Sequence, residues 1–188
     1  MENAKMMRRP LLALALAASV AAPACAALKD GAKAPDFTLQ ASQAGKVFTF
    51  NLDAALKKGP VVLYFYPAAF TTGCTIEAHD FADAIDQYKA YGATVIGVSH
   101  DPIDKLQAFS TSECRGKFPV AADTDESVIK AYDAVLTVDP QYANRTSYVI
   151  APNGTILYSY TDLHPDKHVQ NTLDALKAWK AAQPSPKP

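Results

Sequence analysis

Hydrophobic positions along this chain recur with two different periods, and the switching between them predicts a layered α/β domain. Asp36-Phe-Thr-Leu39 and Val47-Phe-Thr-Phe50 alternate apolar and polar residues around Ala44-Gly45-Lys46, the pattern of two strands closed into a hairpin. Asn51 to Lys58 predicts a short helix stopped by Gly59-Pro60. Val61-Val-Leu-Tyr-Phe-Tyr66 is β-branched and aromatic without a polar break, as a strand covered on both faces requires, and Pro67 ends it. A helix is predicted from about Cys74 to Tyr91, because Ala78, Phe81, Ala82 and Ile85 fall at i, i+3, i+4 and i+7. Gly92 suits a left-handed cap at its end.

The second half repeats the grammar. Ala93 to Ser99 reads as another buried strand, Ile103 to Cys114 as a helix, Phe118 to Ala122 as a short strand and Glu126 to Tyr132 as a short helix. Arg145 to Ile150 and Thr155 to Tyr160 are strands joined through Pro152-Asn153-Gly154, where Asn-Gly is a strong hairpin signal. Asp166 to Ala182 closes the domain as a helix with Val169, Leu173, Leu176 and Trp179 on one stripe. The order is that of a thioredoxin-like fold: a central mixed β-sheet flanked by helices, preceded by an N-terminal β-hairpin. Fold of this kind does not fix function.

Composition narrows the setting. With 188 residues, 49% hydrophobic and 20% charged, the chain suits one compact domain with a sizeable core. A formal charge of -1 without a basic stripe argues against a nucleic-acid partner and against stable membrane association. Residues 1–26 stand apart. Lys5, Arg8 and Arg9 precede the apolar run Leu11–Ala22, which is too short to span a bilayer, and Ala24-Cys25-Ala26 offers small residues for a peptidase. The expectation is a signal peptide cleaved near Ala26, a domain over 27–182, a disordered tail over 183–188, and a periplasmic or secreted location. Arg8-Arg9 matches a twin-arginine signal poorly, and Ala22-Pro-Ala-Cys25 matches a lipoprotein box poorly.

Cleavage would leave two cysteines, Cys74 and Cys114. They could form a structural disulfide, or be a reactive thiol and the thiol that relieves it. Cys74 follows a buried strand and a turn and opens a helix, where free backbone N–H groups and the helix dipole favour a thiolate. A buried structural cysteine is the competing reading from position alone.

The neighbours of Cys74 carry a resemblance. Pro67, Thr71 and Cys74 have the spacing P-x-x-x-T-x-x-C within Tyr66-Pro-Ala-Ala-Phe-Thr-Thr-Gly-Cys-Thr-Ile-Glu-Ala78, which resembles the active-site signature of peroxiredoxins, and most closely the peroxiredoxin Q (bacterioferritin comigratory protein) branch. The similarity extends through Ala34-Pro-Asp-Phe-Thr-Leu39, Gly97-Val-Ser-His-Asp101, Phe118-Pro-Val-Ala-Ala-Asp123 and Arg145-Thr-Ser-Tyr-Val-Ile150. It spans about Lys33 to Trp179.

That resemblance implies a thiol peroxidase reducing hydrogen peroxide and organic hydroperoxides. Cys74 would be the peroxidatic cysteine, leaving the reaction as a sulfenic acid. Arg145 would supply a permanent charge near the sulfur. Thr71 would orient peroxide or thiolate through its hydroxyl, or simply bond its own turn, and Pro67 would shield the pocket. Glu77 would help hold the arginine, or be a solvated helix charge. No cofactor and no metal are implied. The partners implied are peroxide and a thiol reductant protein, thioredoxin-like or another periplasmic dithiol donor, and the subfamily points to a monomer.

The chain departs from one pattern of that branch. Where many members carry a resolving cysteine five residues after the peroxidatic one, this sequence has His79, read here as an exposed helix-surface histidine. Cys114, near the end of the next helix, is then the candidate resolving cysteine of an atypical two-cysteine cycle. The alternative is a one-cysteine enzyme resolved by an external thiol. A thiol–disulfide oxidoreductase would want a second thiol in Cys74-Thr-Ile-Glu77. A copper-binding redox chaperone would want close sulfur and imidazole, yet Cys74 and His79 lie about 140° apart around an ideal helix. His100, His164 and His168 are treated as ordinary polar histidines.

Overall fold

The structure, a computed structural model, describes residues 27–183. The expected leader and all but the first residue of the expected tail lie outside them. The strands are β1 (Thr38–Gln43), β2 (Lys46–Asn51), β3 (Val61–Phe65), β4 (Thr94–Ser99), β5 (Val120–Ala122), β6 (Thr146–Ile150) and β7 (Ile156–Thr161). The helices are α1 (Leu52–Leu56), α2 (Thr72–Ala90), α3 (Ile103–Ser112), α4 (Ser127–Ala131) and α5 (His168–Ala181), the last preceded by a 3-10 turn at Pro165–Lys167. The strands form one mixed sheet in the order β2-β1-β5-β4-β3-β6-β7, the thioredoxin-like layout that the element order predicts. Among the described residues no helix is long and apolar enough to cross a membrane.

The unbroken apolar run of β3 has a direct explanation. Val61, Leu63 and Phe65 point into a core shared with α1 and α4, while Val62, Tyr64 and Tyr66 point into a core shared with α2, α3 and α5. Both faces are roofed, so no polar alternation survives. The close fit shows at β4, where Gly97 pairs with Tyr64. A Cβ there would sit 2.7 Å from the Tyr64 ring, so the glycine lets a large aromatic lie flat over the sheet.

The two hairpins close differently. Ala44 and Gly45 both take positive φ between the paired Gln43 and Lys46, the two-residue turn whose twist matches its strands. At the second hairpin Asn153-Gly154 does not form such a turn. Only Gly154 has positive φ, the Gly154 N–H bonds the Ala151 carbonyl at 2.8 Å, and the ladder shifts register between Val149 and Ile150. The hairpin exists as expected; the bulge lengthens its loop.

The strand order places β3, with α2 springing from its end, between β4 and β6. Cys74 on α2 and Arg145 just ahead of β6 therefore meet at one end of the central strands, where Phe65 pairs with Thr146, 71 residues apart in sequence.

Candidate active site

The loop between β3 and α2 is fixed by a carboxylate just past the end of β4. Asp101 accepts from the Ala69 N–H at 2.7 Å and from the Ser99 hydroxyl at 2.9 Å, and Lys105 pairs with its other oxygen at 2.7 Å. Phe70 takes φ 69°, unfavourable for a side chain of its size, and its ring meets Phe109 edge-on at 5.2 Å. Half-buried Pro67 ends β3 and Thr71 is the N-cap residue of α2.

The Thr71 hydroxyl donates to the Ala68 carbonyl at 3.0 Å, and no side chain caps the helix. Of its two expected roles, the turn bond is the one present here. α2 starts two residues before the expected Cys74, which places the sulfur in its first turn, over backbone N–H groups free of intrahelical partners.

Cys74 is buried, as is Arg145. Arg145 uses all three nitrogens of its fork. Nη2 donates to Cys74 Sγ at 3.5 Å, Nε donates to the Leu163 carbonyl at 2.9 Å, and Nη1 pairs with Glu77 Oε2. Gly73 makes the approach possible, since a Cβ there would lie 3.0 Å from Nη2. The pair with Glu77 and the sulfur holds the Arg145 guanidinium above its ordinary range against burial, which acts first and in the opposite direction. Glu77 is fully buried, not a solvated helix charge. Burial pushes its carboxyl up to about 8, with Arg145 pulling the other way.

His168, expected to be an ordinary polar histidine, is also fully buried. Its Nε2 lies 2.9 Å from the Asp162 carbonyl and its Nδ1 2.8 Å from the Ser147 hydroxyl, with Glu77 Oε1 3.7 Å away. Burial lowers its pKa to about 4. Of the two roles expected for Glu77, holding the arginine is the one present, whereas sequence reading missed His168, although the burial signal was there for both. Glu77 lies at i+3 from Cys74 and i−4 from Phe81, and His168 lies at i−4 from Thr172 and i−8 from Leu176. Each shares a helix face with core residues.

Cys114 is buried in the same core cluster as Cys74, and both are free thiols. It sits past the end of α3, not within it. Burial first, and then Glu113, push its thiol well above the ordinary range. Its flanking residues strap it to α2. Glu113 pairs with His79 at 2.9 Å, Arg115 with Asp83 at 2.5 Å, and the Lys117 ammonium donates to the Ala82 carbonyl at 3.0 Å. His79 is thus only partly exposed, and it holds the segment of the second cysteine.

Comparison with known proteins extends this picture. The model of the AhpC/TSA family matches residues 31–159. The chain is 34% identical over 178 residues to the chloroplastic peroxiredoxin Q of Triticum aestivum, spanning 91% of this chain and 80% of that one. It is 36% identical over 154 residues to the chloroplastic peroxiredoxin Q of Arabidopsis thaliana, spanning 81% and 69%. Among solved structures, the peroxidoxin BcpB of Mycobacterium tuberculosis matches with a TM-score of 0.73 and 30% identity over 80% of this chain and 97% of that one. These chloroplastic relatives overturn the periplasmic or secreted location expected from residues 1–26. Positive charge is common to export and organelle-import leaders, so the basic start of the chain does not by itself separate the two.

Proposed function

The chain belongs to the AhpC/TSA family and is a thiol peroxidase, and from that premise we propose that Cys74 is its peroxidatic cysteine and Cys114 its resolving one. The observation that carries the first assignment is the guanidinium of Arg145 aimed at Cys74 Sγ from 3.5 Å. Two fixed bonds, to Leu163 and Glu77, leave Nη2 no other direction. A permanent charge so placed favours the thiolate, and the free N–H groups of α2 add to it. As the sulfur attacks a peroxide oxygen, the same donors face the charge growing on the departing oxygen. Substrates are hydrogen peroxide and organic hydroperoxides. Pro67 walls the pocket, and the Thr71 hydroxyl, bonded to its turn at rest, reorients toward the bound peroxide.

In the second step the Cys114 sulfur attacks the Cys74 sulfenic acid, forming a disulfide and releasing water. A bond requires the two Cα atoms within about 7 Å. The first turn of α2 unwinds and the Cys114 segment leaves its straps. Exposure also relieves the burial that keeps the Cys114 thiol protonated. A thioredoxin-like dithiol protein then reduces the disulfide. Both sulfurs belong to one chain, so the cycle works in a monomer.

The complete burial of Cys114 favours one alternative, a one-cysteine enzyme resolved by an external thiol. Peptide mass mapping after one equivalent of peroxide separates the two. A linked Cys74–Cys114 peptide is expected; a Cys74 sulfenic acid that persists with Cys114 intact refutes the resolving assignment. Peroxide consumption should vanish in Cys74→Ser with any donor. In Cys114→Ser it should be lost with a dithiol protein and recovered with a small monothiol.

A further inference from the structure

Arg145 answers two acids at once. Nη2 faces Cys74 Sγ, and Nη1 faces Glu77 Oε2. The titratable groups around Glu77 are Cys74 and Asp80 on α2, Tyr64 on β3, Tyr88 further along α2, Arg145 ahead of β6, and His168 on α5. Of these only Arg145 is a permanent cation.

His168 does not supply a second charge. A carbonyl can only accept, so the bond to Asp162 puts the ring proton on Nε2. Nδ1 then accepts from the Ser147 hydroxyl, and the ring is neutral, in keeping with its lowered pKa. Glu77 Oε1, 3.7 Å from that Nδ1, has no hydrogen-bond partner. An ionised carboxylate buried with one oxygen bare of donors is costly. With Cys74 also an anion, one guanidinium would have to neutralise two buried charges.

We propose that Cys74 and Glu77 share one proton, held by the Glu77 carboxyl while the sulfur is a thiolate and released when the sulfur is oxidised. The inference rests on the reading of Cys74 as the peroxidatic sulfur. The thiolate bonds to one peroxide oxygen, the O–O bond breaks, and the other oxygen leaves with the electron pair as hydroxide or alkoxide. Sulfur is oxidised by two electrons and the peroxide is reduced by two. The departing oxygen takes a proton from water. The sulfenic acid is neutral and no longer draws on Arg145, whose charge then stabilises the Glu77 carboxylate. The proton Glu77 gives up replaces the one the leaving group took, so the step exchanges no net proton with solvent. Glu77 is a positioning residue for charge: it touches Arg145, not the peroxide.

The test counts protons. Reduced Cys114→Ser protein, which stops at the sulfenic acid, is mixed with one equivalent of hydrogen peroxide near neutral pH in weakly buffered solution containing an indicator dye. Sulfenic acid is quantified in the same samples by mass after trapping with dimedone. The expected result is no net proton uptake per sulfenic acid formed with Glu77 present, and one proton taken up per sulfenic acid in Glu77→Gln. Uptake of one proton with Glu77 present overturns the proposal without need of the variant, and so does zero uptake in both proteins. Absence of any trapped Cys74 sulfenic acid would instead remove the peroxidatic assignment beneath it.

Discussion

Replacing His168 with glutamine should change how stability depends on pH, in a direction fixed by the buried network. The ring is enclosed between Ser147, Asp162 and Glu77, and its folded pKa is about 4 against an ordinary 6.5, chiefly through burial. A depressed folded pKa means that the unfolded chain binds the proton more readily. The stability that depends on a neutral ring is therefore complete above pH 6.5 and is lost as pH falls through the window down to about 4. Acid would place a second proton on Nδ1, where the Ser147 hydroxyl now donates, beside the fixed charge of Arg145. At about 1.4 kcal/mol per pKa unit, the loss across that window is at most about 3 kcal/mol. Glu77 titrates in the opposite sense, since its raised pKa makes it stabilising at low pH and less so as pH rises towards 8. The raw curve of the wild type is consequently flattened, and the informative quantity is the difference between wild type and His168→Gln, in which the other groups cancel. Glutamine can keep the bond to the Asp162 carbonyl but does not titrate. The assay is urea unfolding at constant ionic strength from pH 7 to pH 4, followed by Trp179 fluorescence. With a urea slope of about 2 kcal/mol/M, the two midpoints should converge by roughly 1.5 M as the pH falls. Parallel curves, with a gap independent of pH, would refute the claim that the fold holds this ring neutral.

Two further outcomes test the parts around the site. His79→Ala removes one strap from the Cys114 segment; partly exposed pairs are worth about 0.2–1 kcal/mol, so linking of Cys74 to Cys114 should quicken by about 1.4-fold to fivefold, with sulfenic acid formation unchanged. Quenched-flow mass mapping reads both steps, and slower linking would contradict the strap. Gly97→Ala pushes a Cβ to 2.7 Å from the Tyr64 ring, which is packed between Phe81 and Phe118 at centroid distances of 4.4 and 6.1 Å. Thermal unfolding should show a loss of about 1–3 kcal/mol, partly recovered when Tyr64→Leu is added, and an unchanged midpoint would mean that the ring has room.

The elements that hydrophobic spacing made legible were those buried on a regular stripe. The α2 stripe of Ala78, Phe81, Ala82 and Ile85 is buried as the spacing predicts, and the continuous run of β3 is roofed on both sides. On α5 the stripe is narrower: Leu173 and Leu176 are buried, whereas Val169 and Trp179 are only partly so, because His168 and Thr172 take the inner positions. Polar residues in such positions are invisible to a rule that places charge outside. Glu77 and His168 go inside because Arg145 and backbone carbonyls satisfy them, and those partners come from distant parts of the chain. The meeting of Cys74 with Arg145 was legible only through family resemblance, since no local spacing links residues so far apart. Asn153-Gly154 gave the right hairpin with the wrong turn, because the register shift at Val149 and Ile150 left more residues to close.

The two cysteines are anchored by bonds of different strength, and this bears on which one moves. On the Cys74 side, Arg145 is held by buried, charge-assisted bonds to Glu77 and to the Leu163 carbonyl, and breaking such a buried pair costs about 3–5 kcal/mol. On the Cys114 side the ion pairs join partly exposed side chains, Glu113 to His79 and Arg115 to Asp83, and each is worth about 1 kcal/mol or less. The sulfur proposed to react therefore sits in a firmly held cradle, while the second sulfur hangs on weaker straps. The first turn of α2 lies between these extremes: it has no side-chain cap, and the contact of Arg145 with the thiolate weakens once that sulfur becomes a neutral sulfenic acid. Oxidation thus loosens the one tie between Cys74 and its cradle that depends on charge at sulfur. The proposed cycle, which begins with loss of that charge and continues with movement of the Cys114 segment, accords with how the two sides are held.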